Sequence, residues 1–195
     1  MMSPISHEFH KLIGKAFNEL ELPDKRFVIL KDRACDENGH DLPLFYLSES
    51  EERQYKNIKL KGHKFTEVDL LILKDNEIKV IVEIEESNMK PNHLFGKYMA
   101  AAMSSFYIYR PGQSKENKCK MADKVQFIQI LDSTRTKERS QKFEQWGQVE
   151  EAVQKLAETK LNNVIEYKLF CGKKSGSDLE SGFKQRLQKH VLSIL

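Results

Sequence analysis

The chain has 195 residues, with 32 lysines and arginines against 29 aspartates and glutamates, a net charge of +3 and 39% apolar side chains. That length buries a core for one domain without help from disulfides or metals, and the balanced charge carries no bulk signature of a nucleic-acid partner, so such a partner must be argued from local clusters. Cys35, Cys119 and Cys171 are odd in number, far apart and without C-x-x-C spacing, which argues against a disulfide framework or zinc site and for a reducing cytoplasm; "MMSPISHEFHKLIGKAF" has no signal-peptide core, and no apolar run approaches the roughly 18 residues of a membrane span.

At the amino terminus Phe9, Leu12, Ile13, Ala16, Phe17 and Leu20 recur at helical spacing, with Ser6 as N-cap and Pro23 beyond the end, which predicts an amphipathic helix. RFVIL at 26–30 reads as a short strand, and the polar stretches "DENGHDLP" and "SESEERQYKNIKLKGHK" read mainly as loops. From Thr66 onward, β-branched and aromatic runs bounded by turn residues predict strands at 67–74, 78–85, 104–110, 124–131 and 164–171. Helices are expected at 92–103, at 136–159 with Phe143, Trp146, Val149, Val153 and Leu156 on one face, and from 177 to the end with Leu179, Phe183, Leu187 and Val191 at helical steps. The order predicts an α/β (α+β) fold: one domain over 1–195, with a mixed central β-sheet flanked on both faces by helices.

The stretch "TEVDLLILKDNEIKVIVEIEES" at 66–87 concentrates the chemistry. Two apolar strands carry Asp69, Glu83 and Glu85 where a carboxylate is costly to bury. A three-residue loop of Asp75, Asn76 and Glu77 sets a register of Leu71 with Ile81, Asp69 with Glu83 and Glu67 with Glu85. That register leaves Val68, Leu70, Ile72, Val80, Val82 and Ile84 on one apolar face; a two-residue loop would mix the faces. Opposed Cβ atoms lie about 4.5 to 5.5 Å apart, so Asp69 and Glu83 repel, and a hard divalent cation such as Mg²⁺ would turn that repulsion into attraction. The competing reading is a solvated sheet edge whose acids pair with Lys79 and Lys97. Glu67 and Glu86, at strand margins, read as solvated, and His7 with His10 as a helical surface.

"EVDLLIL" followed by "VEIEES" resembles the active-site hairpin of the PD-(D/E)xK nuclease superfamily, the fold of many type II restriction endonucleases. Asp69 matches the family's first aspartate and Glu83 its second acid; no proline precedes Asp69, and the lysine expected two residues after Glu83 is Glu85, an E-x-E variant of the motif. The resemblance covers about 66–131. It implies Mg²⁺-dependent hydrolysis of DNA phosphodiester bonds, with Mn²⁺ able to substitute and the metal held by Asp69, Glu83 and the main-chain carbonyl of Ile84. Glu85 would act as general base or complete a two-metal site. Lys97, four residues after His93 on the following helix, would supply the missing positive charge, Gly96 would permit close packing on the sheet, and Glu8 or Glu19 of the first helix would lean toward the metal. An exposed Lys97 with no such role fits the sequence equally.

Double-stranded DNA would meet loops at the acidic end of the sheet, first "RPGQSKENKCK" with Arg110, Gln113, Lys115, Asn117, Lys118 and Lys120, then the smaller clusters "STRTKER" and "CGKKSGSD". A homodimer would match palindromic DNA, each active site cutting one strand. The resemblance leaves three activities open: a sequence-specific restriction endonuclease, a structure-specific repair or defence nuclease, and a catalytically inactive DNA-binding domain of the same fold.

Overall fold

The first helix forms because every fourth or third side chain from Phe9 is apolar and finds a sheet to bury against. The computed structural model describes residues 7–52, 60–87, 89–109, 117–159 and 163–195, so the expected N-cap Ser6 lies outside the described residues. The elements run α1 (Glu8–Asn18), β1 (Phe27–Lys31), β2 (Pro43–Phe45), α2 (Glu49–Glu52), a 3₁₀ turn (Leu60–His63), β3 (Lys64–Glu67), β4 (Leu70–Lys74) and β5 (Glu77–Glu85). They continue with α3 (Pro91–Ala102), β6 (Phe106–Tyr109), β7 (Asn117–Asp132), α4 (Gln141–Ala157), β8 (Val164–Gly172), β9 (Lys174–Ser175), β10 (Asp178–Leu179) and α5 (Ser181–Ile194).

Strand order in the main sheet is β1-β4-β5-β7-β6-β2-β3, with β8 also on β7. β4 runs antiparallel to both of its neighbours, β1 and β5, and β5, β7 and β8 run parallel. On the edge away from β5, β7 is shared: Asn117–Lys120 pair with β6, and the stretch from Val125 to Asp132 pairs with β8. The far edge of β8 is closed by side chains of α4. Glu150 Oε1 accepts from the main-chain N–H of Leu169 at 3.1 Å, and Gln154 Oε1 accepts from that of Tyr167 at 2.9 Å, which removes a template for strand addition.

The expected mixed sheet with helices on both faces is present. On one face Leu70, Ile72, Val80, Val82 and Ile84 pack with Phe9, Ile13 and Phe17 of α1 and Phe183, Leu187 and Val191 of α5. On the other, Leu71, Leu73, Ile78, Ile81 and Phe127 pack with Leu94, Tyr98 and Ala101 of α3 and Trp146 and Val153 of α4. β5 is therefore buried on both faces over most of its length, the environment that makes its two acids costly. α1 lies so close to the chain after β1 that a Cβ on Gly14 would stand 2.2 Å from the carbonyl oxygen of Cys35.

Several boundaries depart from the sequence reading. The hairpin turn holds two residues: Asp75 and Asn76 both adopt positive φ, 52° and 63°, and Lys74 pairs with Glu77. A bulge at Lys79 then shifts the register by one residue, so Ile72 meets Val80 and Leu71 meets Ile81, as expected. The strand expected at 67–74 is broken at Val68 and Asp69. Glu67 belongs to β3 and faces Pro43 of β2 instead of Glu85, and Val68 packs with the α3 side. β2 and β3 form at the margins of the segments read as loops, and α2 and the 3₁₀ turn form inside the second of them. β7 begins seven residues earlier than expected, α4 starts at Gln141 where Ser140 caps it, and β9 and β10 precede the last helix.

Candidate active site

In open α/β sheets, ligand sites collect beyond the carboxyl ends of parallel strands. Here that end of β5 and β7 opens into a polar cleft of about 880 Å³, lined by His7, Glu8, His10, Asp69, Ile84, Glu85, Glu86, Lys97, Asp132, Arg135, Lys142 and Lys174, among others. Asp69 interrupts the sheet there because its carboxylate takes the place of a backbone partner: Oδ2 accepts from the main-chain N–H of Ile84 at 2.6 Å. The main-chain N–H of Asp69 in turn donates to the carbonyl of Val82 at 3.2 Å. The first acid is thereby clamped onto the strand that carries the other two.

Glu83 is 0% exposed. Its Oε2 accepts from Lys97 Nζ at 2.9 Å, while its Oε1 is buried with no hydrogen-bond partner. Glu85 is buried, and its Oε1 lies 3.1 Å from His93 Nε2. His93 and Lys97, one turn apart on α3, share a helical face as their spacing predicts, and from it meet alternate acids of β5. Burial rules out a solvated edge for Glu83 and Glu85, although the pairing with Lys97 that the competing reading expects is present at Glu83. Gly96 between them has open space around it and plays no part in close packing.

Burial, with Asp69's charge second, pushes the Glu83 carboxyl well above the usual range, against the opposing charge of Lys97. Burial also raises Glu85, opposed by His93 and Lys97. Burial would lower the Lys97 pKa, but the surrounding acids, Glu83 foremost, raise it and keep the ammonium charged. Three ionised carboxyls against one ammonium would be an excess of negative charge in a partly desolvated site, which is why Glu83 and Glu85 resist ionisation there. Such strongly perturbed groups in a cleft are a signature of function.

A second layer comes from α1, at the histidine pair that the sequence reads as a helical surface. His10 is buried, with Nδ1 2.8 Å from Glu86 Oε1 and Nε2 3.6 Å from Asp69 Oδ1. Burial alone would lower its pKa, but Asp69 and then Glu86 raise it to about 9, so the imidazole carries charge at neutral pH. Glu86 is consequently anchored instead of solvated. Of the two glutamates expected to lean inward, Glu8 lines the cleft but is engaged by Lys174 at 2.8 Å, and Glu19 pairs with Lys184 at 2.6 Å.

The basic residues are distributed differently from the sequence expectation. Arg110, Gln113 and Lys115 lie outside the described residues. Asn117, Lys118 and Lys120 open β7, and because β7 runs parallel to β5, Lys120 pairs with Glu77 while Leu131 pairs with Glu85. At about 3.3 Å per residue, Lys120 sits about 20 Å along the sheet from Glu83 and about 26 Å from Glu85, so these three residues lie far from the acidic end. Lys118 lies over the Phe106 ring at 4.3 Å. The two smaller clusters reach the acidic end through Arg135 of the β7–α4 loop and Lys174 of β9, and Lys142 of α4, outside both clusters, lines the cleft with them. No helix among the described residues is long and apolar enough to cross a membrane.

Comparison of the chain with protein-family models, with curated proteins and with solved structures finds no match.

Proposed function

We propose that this chain is a metal-dependent deoxyribonuclease of the restriction endonuclease-like fold, cytoplasmic, homodimeric and specific for sites in double-stranded DNA. The observation that carries the reading is Glu83: a fully buried carboxylate with one orphaned oxygen, crowded by Asp69 and met on its other oxygen by Lys97. A buried acid without a partner is expensive unless something else satisfies it, and oxygen donors in excess negative charge fit a hard cation such as Mg²⁺. Asp69 and Glu83, with the Ile84 carbonyl, would hold it. When bound, it supplies polarisation of the scissile phosphate and a water of lowered pKa.

The chain's own residues account for the remainder of a hydrolysis. Water adds to phosphorus, the ester P–O bond breaks, the water's proton passes to a base, and the leaving oxygen is protonated from solvent. Glu85, whose carboxyl pKa is raised by burial and which is oriented by His93, takes that proton. Lys97 keeps a charged ammonium beside Glu83, where the lysine of the usual motif is replaced by Glu85, and it stabilises charge developing on the phosphate. Arg135, Lys142 and Lys174 on the cleft wall hold flanking phosphates.

Incubation of supercoiled plasmid with Mg²⁺ or Mn²⁺, with a chelator control, tests the reading. Discrete bands, lost in Asp69→Ala and Lys97→Met, are expected. A metal-dependent smear would assign a nuclease without sequence recognition, and an intact plasmid under both metals would refute the proposal.

A further inference from the structure

At the rim of the same cleft, His7, His10 and Glu86 bring three ligand atoms within 4.8 Å of one another. The grouping is assembled by packing, because α1 delivers both histidines to the residue that follows β5. His7 precedes the helix as its N-cap but its side chain makes no capping hydrogen bond, and the two imidazoles meet edge to face with centroids 5.2 Å apart. Glu86 is fixed in place by His10 itself, whose main-chain N–H donates to Oε1 at 3.0 Å. The far ring nitrogen of His10 faces Asp69 Oδ1 at 3.6 Å, the arrangement in which a carboxylate behind a histidine sets its tautomer and raises its basicity as a metal ligand. His7, His10 and Glu86 all line the open cleft, which leaves solvent a fourth position.

We propose that His7, His10 and Glu86 form a second cation site for a borderline divalent metal of the Zn²⁺ or Co²⁺ type, distinct from the oxygen-only site of Asp69 and Glu83. Two imidazoles and one carboxylate, with water in the open position, suit Zn²⁺, whereas Mg²⁺ prefers oxygen donors. His10 Nδ1 and Glu86 Oε1 stand 2.8 Å apart, and a metal bound here displaces the proton shared between them into solvent. Metal–ligand bonds of about 2.0 to 2.1 Å in a tetrahedral array would part them by about half an ångström, a side-chain adjustment at a solvent-facing edge. The amino-terminal end of α1 opposes a cation through its dipole, and the carboxylates of Glu86 and Asp69 offset it. An ion here ties α1 to the end of β5 and adds positive charge one histidine away from Asp69. The proposal does not depend on DNA cleavage.

Calorimetric titration of Zn²⁺ into the full chain in a large excess of Mg²⁺, paired with the visible spectrum of the Co²⁺ form, tests the site. One equivalent bound with micromolar or tighter affinity, and a Co²⁺ spectrum of nitrogen and oxygen ligation, are expected. His7→Ala, at an exposed position, and Glu86→Gln should each weaken Zn²⁺ at least tenfold with an unchanged far-ultraviolet dichroism spectrum, while Glu83→Gln should leave it intact. Absence of Zn²⁺ binding in Mg²⁺, binding unchanged in both His7→Ala and Glu86→Gln, or loss of binding in Glu83→Gln would each overturn the proposal, the last by assigning the ion to the acidic site.

Discussion

Replacing Glu83 by glutamine should make the metal-free protein more stable, and the size of the effect follows from its surroundings. The side chain is fully buried, its Oε1 has no partner, and burial together with Asp69 holds its pKa well above the ordinary 4.5. In the unfolded chain the group is ionised at pH 7, so the cost of keeping it protonated in the folded state cannot exceed about 3.4 kcal/mol at that pH. Glutamine removes that cost, and its amide oxygen still accepts from Nζ as the neutral carboxyl does. The gain is therefore positive and below about 3.4 kcal/mol, a Tm rise of up to about 14 °C for a domain of this size. The pH dependence has a fixed sign: a carboxyl whose folded pKa is raised is harmless below its unfolded pKa and destabilises progressively as pH rises toward the folded value. Thermal unfolding of both proteins in chelator at pH 5 and pH 8 should therefore give near-equal Tm at pH 5 and a gap at pH 8, other titrations cancelling in the difference. Mg²⁺ should then stabilise the wild-type chain and leave Glu83→Gln unmoved. A gap independent of pH, or a less stable Glu83→Gln at pH 8, would refute the reasoning.

Glu85→Lys, which restores the usual family pattern, should lose cleavage by at least a hundredfold in single-turnover assays, because it sets a second ammonium beside Lys97 and leaves His93 without its acid; Glu85→Gln should lose less, and wild-type rates in Glu85→Lys would make Glu85 a bystander. Arg135→Ala, Lys142→Ala and Lys174→Ala should each weaken DNA binding and reduce the slope of log affinity against log salt by about 1, whereas Lys118→Ala and Lys120→Ala should leave binding at the cleft unchanged, as fluorescence anisotropy over a salt series would read. Gly14→Ala should destabilise by about 1 to 3 kcal/mol or more in urea unfolding, because the added methyl meets the carbonyl of Cys35 at 2.2 Å; an unchanged midpoint would mean that α1 shifts freely.

The sequence by itself determined what depends on near neighbours along the chain. The apolar faces of α1 and of the β4–β5 hairpin, the burial of Glu83 and Glu85 in alternation, and the shared face of His93 and Lys97 all follow from the periods of helix and strand, and all are present. Even the loop length, misjudged by one residue, did not disturb the pairing of Leu71 with Ile81, since the buried faces forced a bulge to restore it. Tertiary structure decided which end of the sheet each segment reaches. Strand direction is invisible to local pattern, so Lys118 and Lys120 at the start of β7 went to the far end from the acids, and the quieter loops before α4 and around β9 came to the cleft. It also decided the partners of the titratable groups. Glu86 and His10 read as surface because each sits at the margin of its own element; only the docking of α1 across the end of β5 removes their water and sets them against each other and Asp69, an energy that arises between elements 76 residues apart.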